Sequence, residues 1–325
     1  MIRLVQLGNN SENILQPKEF ATQKLANVWL ELVDPTEDEL RAVADCTEIS
    51  IGFFRLPEKG EVDLRIQPGY GIVNFLVMQD ITSSKKTHPV TLVFSKEFLI
   101  TVAPKEIQYI INLAKERMSK SRLESPAQVA YFVIDEIVSS HYGHLETLET
   151  LTGDIEEEII EKPSPQILKK ILSLKSNMIS FNKTLWYERD LVFNIRKYES
   201  FMPQRTREFF DTTHEDLTRQ IDIADTYREI LSDAINVHLS ASSNKINFSI
   251  NSLTIVIFYL TIITTVTSFP NTVATFFGIA QFGNSHFGII IAALLASTIL
   301  PFVWLWRKKW LSTKTALRQA DVKDD

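Results

Sequence analysis

"INFSINSLTIVIFYLTIITTVTSFPNTVATFFGIAQFGNSHFGIIIAALLASTILPFVWLW", residues 246–306, contains no Lys, Arg, Asp or Glu in 61 positions, although charged residues make up 23% of the 325-residue chain. A membrane-spanning helix needs about 20 mainly apolar residues. The run is long enough for two spans, and three glycines (Gly278, Gly283 and Gly288) with Asn284 and Ser285 mark a turn between them. The expected spans are 253–278 and 288–306, joined by an outer loop at 279–287. A buried helical hairpin of a soluble protein is the competing reading, and the length of the run weighs against it. Arg307, Lys308 and Lys309 follow the second span and Lys245 precedes the first, while Trp304, Trp306 and Trp310 suit an interfacial belt. Excess cations mark the cytosolic side. A multi-pass protein of the cell (inner) membrane is expected, with both termini cytosolic and the lipid bilayer as a partner.

The rest of the composition narrows the class further. A net charge of -6 argues against nucleic acid as a partner. Cys46 is the only cysteine, so there is neither a disulfide framework nor a paired-cysteine metal site. The first residues, "MIRLVQLGNNSENILQ", lack the apolar core of a signal peptide. No phosphate-binding glycine loop, HExxH or GxSxG occurs. An enzyme is not expected, nor is a resident cofactor.

Upstream of the run, residues 1–118 read as a cytosolic α/β domain. "VWLELV", "SIGFFRLP", "YGIVNFLVM" and "VTLVFSKEFLITVAP" are rich in β-branched and aromatic residues, and the last is expected to turn back at Ser95-Lys96-Glu97. In "DPTEDELRAVAD", Thr36 and Glu39 form the spacing of a capping box, which predicts a helix. Glycine is then absent between Gly153 and Gly278. Ser125-Pro126 and Ser164-Pro165 each pair an N-cap with a proline at the first helical position. They predict helices at 126–160 and 165–200, within a long-helix hairpin at 119–203. From Pro203 to Pro270 no Gly or Pro intervenes. This predicts a stalk helix over 204–252 that runs into the first span, roughly 100 Å in all at 1.5 Å per residue. Leu217, Ile221, Ala224, Leu231 and Ile235 follow a 4-3 seam interrupted by Arg228. A helix of that length is expected to pack against copies of itself or its neighbours. The remaining 307–325 form a tail that begins basic.

Function is expected from one face of the first span. Alternating steps of 4 and 3 from Asn247 reach Asn251, Thr254, Phe258, Thr261, Thr265, Ser268, Thr272, Thr275 and Ile279, eight of the ten being polar. Polar groups facing lipid are costly, so the stripe is expected to face protein or water. It reads either as hydrogen-bonding glue between helices or as the lining of a hydrated pore repeated in each subunit of a ring. Its full-span length favours the pore. Phe258 is either a dewetting gate or a packing residue rotated off the axis. Pro270 removes one backbone hydrogen bond, so a kink or local adjustment is expected there. His141 and His144, at i and i+3, are expected on the surface.

"VWLELVDPTEDEL", "FSKEFLITV", "LSASSNKINFSINSLTI" and "RKKWL" in this order, with the stalk and two C-terminal spans, resemble the CorA family of divalent-cation transporters along essentially the whole chain. The resemblance implies a homopentameric funnel whose first span lines the pore. It also implies passive flux of a divalent cation, Mg²⁺ by default, closed by cytosolic metal binding, so that Mg²⁺ or another divalent cation is both substrate and regulator. The family's outer mouth carries Gly-Met-Asn, whereas this chain has Gly278-Ile279-Ala280. Gln281, Asn284, Asn271 or the rings at Thr272 and Thr275 stand as substitutes for the missing asparagine. His286 in the loop is either a ligand favouring Zn²⁺, Co²⁺ or Ni²⁺ or a solvated residue. Where the family places an inward aspartate the chain has Asn236, with Asp222, Asp225 and Asp233 as candidate regulatory ligands. Asp154, Glu156, Glu157, Glu158 and Glu161 resemble the family's acidic helix tip, and read either as a cation concentrator or as a solvated face. Zn²⁺, Co²⁺ or Ni²⁺ transport, efflux, and a non-conducting membrane scaffold remain the rival readings.

Overall fold

The computed structural model describes residues 2–7, 11–15, 25–57, 62–82, 87–119, 125–161, 164–198 and 203–278, with scattered positions between 288 and 307. The chain divides into two compact units, Met1–Ala241 and Ser242–Asp325.

The first unit is built on seven strands: β1 (Ile2–Gln6), β2 (Ser11–Leu15), β3 (Val28–Val33), β4 (Asp63–Gln67), β5 (Tyr70–Met78), β6 (Thr87–Ser95) and β7 (Phe98–Ala103). They form one sheet in the order β2-β1-β3-β7-β6-β5-β4, antiparallel throughout except for the parallel β3–β7 pair. Alternation along each strand feeds two cores. Leu30, Ile72, Val93 and Ile100 face α1 (Glu37–Thr47) with Leu40 and Val43, whereas Trp29, Val73, Phe75 and Leu92 face the later helices. A sheet covered on both faces explains why β3, β5 and β7 read as almost unbroken apolar runs. At one cross-strand pair the packing admits only glycine, since a Cβ on Gly71 would lie 2.5 Å from the Phe94 ring.

The expected capping box is present, with Glu39 N donating to Thr36 Oγ1 at 3.3 Å and Thr36 N donating to Glu39 Oε2 at 2.9 Å. The β6–β7 hairpin turns where expected, because Ser95 Oγ accepts from Glu97 N and Phe98 N. "SIGFFRLP" is not a strand. Glu48 ends α1 in the left-handed conformation and Ile51–Phe53 form a 3-10 turn that delivers a fully buried Phe54 to the α1-side core. Its apolar residues are spent on that plug rather than on a ladder. Strands β1, β2 and β4 and the helix α2 (Gln108–Ser119) were not expected from sequence.

Two long helices follow, α3 (Pro126–Glu161) and α4 (Pro165–Ile195), the second capped by Ser164 with Pro165 in its first turn. Helix α5 (Gln204–Gly278) starts directly after Pro203 and continues through Pro270. Its 4-3 seam is occupied within the chain: Leu217, Ile221, Ala224 and Leu231 are buried in the same core as α3 and α4, and Arg228 at the interruption is exposed. The neighbours that this seam required are the protein's own helices. Sheet plus long helices therefore agree with the expected class, while most of the second expected span lies outside the described residues.

Candidate functional site

Downstream of Ala241, α5 changes character. Ile250, Leu253, Val256, Ile257, Leu260 and Ile263 are all exposed. Among the described residues this is the one helix long and apolar enough to cross a membrane. Asn247, Asn251, Thr254, Thr261, Thr265, Ser268, Thr272 and Thr275 lie exposed along it at the expected spacing, and among the described residues of the stripe Phe258 alone is half-buried. Phe258 shares that half-buried state with Ile262, Val266 and Pro270, each four residues on.

The stripe hydroxyls are oriented by the helix itself. Thr254, Thr261, Ser268, Thr272 and Thr275 donate their protons to the carbonyls four residues earlier, at 2.7–2.9 Å. Such back-bonding is a local option for Ser and Thr in helices. It fills the one donor of each hydroxyl and leaves the oxygen lone pairs as acceptors. The exposed edge is therefore a row of neutral acceptors with no fixed charge.

Gly278 is the last residue of α5, and Ile279, Ala280, Gln281, Asn284 and His286 lie outside the described residues. Of the candidate regulatory acids, Asp222 and Asp233 are exposed on α5, whereas Asp225 accepts from Asn182 Nδ2 at 2.8 Å and pairs with Arg228 at 3.1 Å. Among the described residues no group of three or more His, Cys, Asp or Glu is gathered to hold a metal.

Contrary to the expectation of surface positions, His141 is buried and His144 half-buried. His141 is 1% exposed and occupies a slot in the 4-3 core seam of α3, between Val138 and Leu145. That seam was visible in the sequence and would have found it. Gln220 Nε2 on α5 donates to Val138 O, which fixes its amide so that Gln220 Oε1 accepts from His141 Nδ1 at 3.2 Å. The other ring nitrogen faces the buried Glu188 of α4 at 3.5 Å. Burial pulls the His141 imidazole down to about 4 and pushes the Glu188 carboxyl well above its ordinary range. Both shifts favour an uncharged pair.

These groups also finish a sheet edge. The β4 ladder stops at Asn74 of β5, and helix side chains take over beyond it. His144 Nε2 meets Met78 O at 2.8 Å, and in the turn after β5 Asn177 Nδ2 donates to Thr82 O at 2.7 Å. The Leu76 amide points toward Glu188 without reaching hydrogen-bond geometry. The cluster is structural and sits within the first unit. A second buried carboxylate, Glu31, is held by Arg3 at 3.2 Å and Lys115 at 2.6 Å, so it too has a structural explanation.

The family described as "CorA-like Mg²⁺ transporter protein" matches residues 25–309. A "Cobalt/magnesium transport protein CorA" of Methanocaldococcus jannaschii is 25% identical, the alignment covering 96% of this chain and all of that protein. One of Thermotoga maritima is 24% identical over 73% of this chain and 70% of its own length. Among solved structures, the complete CorA magnesium transporter of M. jannaschii superposes with a TM-score of 0.71 at 20% identity, covering 96% of this chain and 99% of that one.

Proposed function

This chain belongs to the CorA-like Mg²⁺ transporter family, and we propose that it forms a passive channel for hydrated Mg²⁺ lined by the α5 stripe. As a family member it is a divalent-cation transport protein of a membrane and not an enzyme. The observation that supports the finer reading is the back-bonding of Thr254, Thr261, Ser268, Thr272 and Thr275, whose protons are used on the helix so that their oxygen lone pairs remain as acceptors.

Mg²⁺ is small and gives up its waters reluctantly. Those waters direct their protons away from the ion, so a lining that recognises the hydrated ion must present acceptors. Back-bonded Thr and Ser hydroxyls do so, and the carbonyl oxygens of Asn247 and Asn251 add further acceptors. The stripe holds no carboxylate, so it does not bind the cation tightly enough to arrest it, which conduction requires. One stripe supplies a single acceptor at each level. A ring of copies, five by family resemblance, would supply a full shell of them.

In this reading residues 1–118 and 119–203 are cytosolic, 204–252 is the stalk, 253–278 lines the pore, and 288–306 returns the chain to the cytosol. Regulatory Mg²⁺ would bind Asp222 or Asp233 with ligands from a neighbouring copy, since Asp225 is already engaged. At the mouth, Gln281 or Asn284 would replace the acceptor that Ala280 lacks. A second reading, Co²⁺ as cargo, is favoured by the names of both relatives and by His286, a ligand type suited to the later transition metals.

The test is cation flux into liposomes holding the purified full chain, with Mg²⁺, Co²⁺, Ni²⁺ and Zn²⁺ compared and Ala280→Asn run beside the parent. Flux of Mg²⁺ through the parent is expected. Flux only after Ala280→Asn would mean that the chain has given up conduction, and would move the reading to a membrane scaffold.

A further inference from the structure

We infer that the exposed face of α4 docks on the exposed face of α3 of a second copy of this chain. This deepens the self-assembly part of the proposed function and rests on it only in needing more than one copy.

Helix α4 buries one side in the core of its own unit, yet its opposite side is not polar. Leu172, Ile179, Trp186 and Phe193 are 51%, 54%, 44% and 39% exposed and stand seven residues apart. A strict seven-residue repeat of large apolar side chains is the pattern of a seam that meets another helix. The knobs recur about every 10 Å along the axis at 1.5 Å per residue. Cations already lie over the rings: Arg189 is 4.1 Å from the centroid of Trp186, and Lys197 and Arg196 are 4.2 and 4.8 Å from that of Phe193.

The matching surface is on α3. That helix carries nine carboxylates and no Lys or Arg, whereas α4 carries five Lys/Arg and two carboxylates, one of them the buried Glu188. On the exposed face of α3, Glu146, Glu149, Glu156 and Glu157 surround the small residues Gly143, Thr150 and Gly153. A Cβ added at either glycine would meet nothing within 4 Å. Glycine is the poorest helix former after proline, and nothing in the chain's own packing requires it at these two exposed positions. Close approach of a partner helix does. Large knobs with cations on α4 thus face small holes with carboxylates on α3. Opposite charges across such a contact select the partner and register. An anionic bilayer would match the cations of α4 but gives no account of the glycines or acids of α3.

The experiment uses full-length protein in a Cys46→Ser background. Two differently tagged chains are co-expressed, one with Ile179→Cys and the other with Thr150→Cys, and oxidised in detergent while light scattering reports the mass. A covalent dimer of the two tags is expected, well above that given by Leu113→Cys with Thr150→Cys. Lys183→Glu with Arg189→Glu should lower its yield several-fold, and Glu146→Lys with Glu149→Lys on the partner should restore it. An oligomer without the 179–150 cross-link would overturn this interface and leave self-assembly standing, whereas a monomer would overturn both. Quenching of a fluorophore on Ile179→Cys by brominated anionic lipid, with no cross-link, would assign the face to the bilayer and also defeat the inference.

Discussion

Helix α5 is one element with two unlike halves. Before Ala241 Phe210, Leu217, Ile221 and Leu231 are buried, and several polar residues meet partners inside the chain. Thr213 donates to Asp135 and Gln220 links His141 to Val138. After Ala241 almost every described side chain is exposed, Leu and Ile as much as Asn and Thr, and Thr254, Thr261 and Thr272 hydrogen-bond to the helix itself. The first half is finished by its own chain. The second is unfinished until lipid covers its apolar faces and something polar, water or a copy, meets its stripe.

The contrast breaks most visibly under truncation. Phe210→Ala, at a fully buried ring packed on Tyr131, should cost about 3–5 kcal/mol in chemical denaturation of the full-length protein. Phe248→Ala, at a residue 74% exposed in the second half, should change the same transition by less than about 0.5 kcal/mol. Comparable losses would mean that the second half is also packed by its own chain.

The buried pair sharpens the comparison through pH. Glu188, raised by burial, keeps its proton longer in the folded protein than in the unfolded one. Its contribution is therefore present below the ordinary carboxylate pKa and lost as pH rises through the raised value. His141, lowered to about 4, contributes above its usual 6.5 and loses that contribution as pH falls toward 4. Glu188→Gln, which keeps the shape without the ionisation, should raise the denaturation midpoint at pH 8 relative to the parent and flatten the alkaline limb. An unchanged pH profile would show that the carboxyl is not buried as described.

A smaller effect is expected at the capping box of α1, far from either half. Thr36→Ala should cost about 1 kcal/mol, read as a shift of the denaturation midpoint, with nothing lost from transport.

What the sequence disclosed follows the same division. Helices framed by Ser-Pro caps, and strands such as "YGIVNFLVM" covered on both faces, announce themselves locally. Strands β1, β2 and β4 ("IRLVQ", "SENIL", "DLRIQ") are short and partly polar; β2 and β4 are edge strands held by hairpin pairing with β1 and β5 alone, and β1 also pairs with β3. "SIGFFRLP" carries strand-like residues but spends them on the Phe54 plug. His141 was misplaced because its residue type outweighed its slot in the α3 seam. The polar stripe was legible because spacing along one helix is a property of one chain. For the candidate regulatory acids no such single-helix pattern exists, and among the described residues no group of three or more His, Cys, Asp or Glu is gathered.

The central claim, that the exposed hydroxyl edge of α5 is the cation path, is tested most directly by Mg²⁺ flux through the Thr265→Leu/Thr272→Leu variant in liposomes, against the parent and Leu260→Ala. The variant should insert and assemble as the parent does yet conduct nothing, while Leu260→Ala, off the stripe, should conduct as the parent does. Parent-like flux through the double variant would contradict the claim and place the cation path elsewhere.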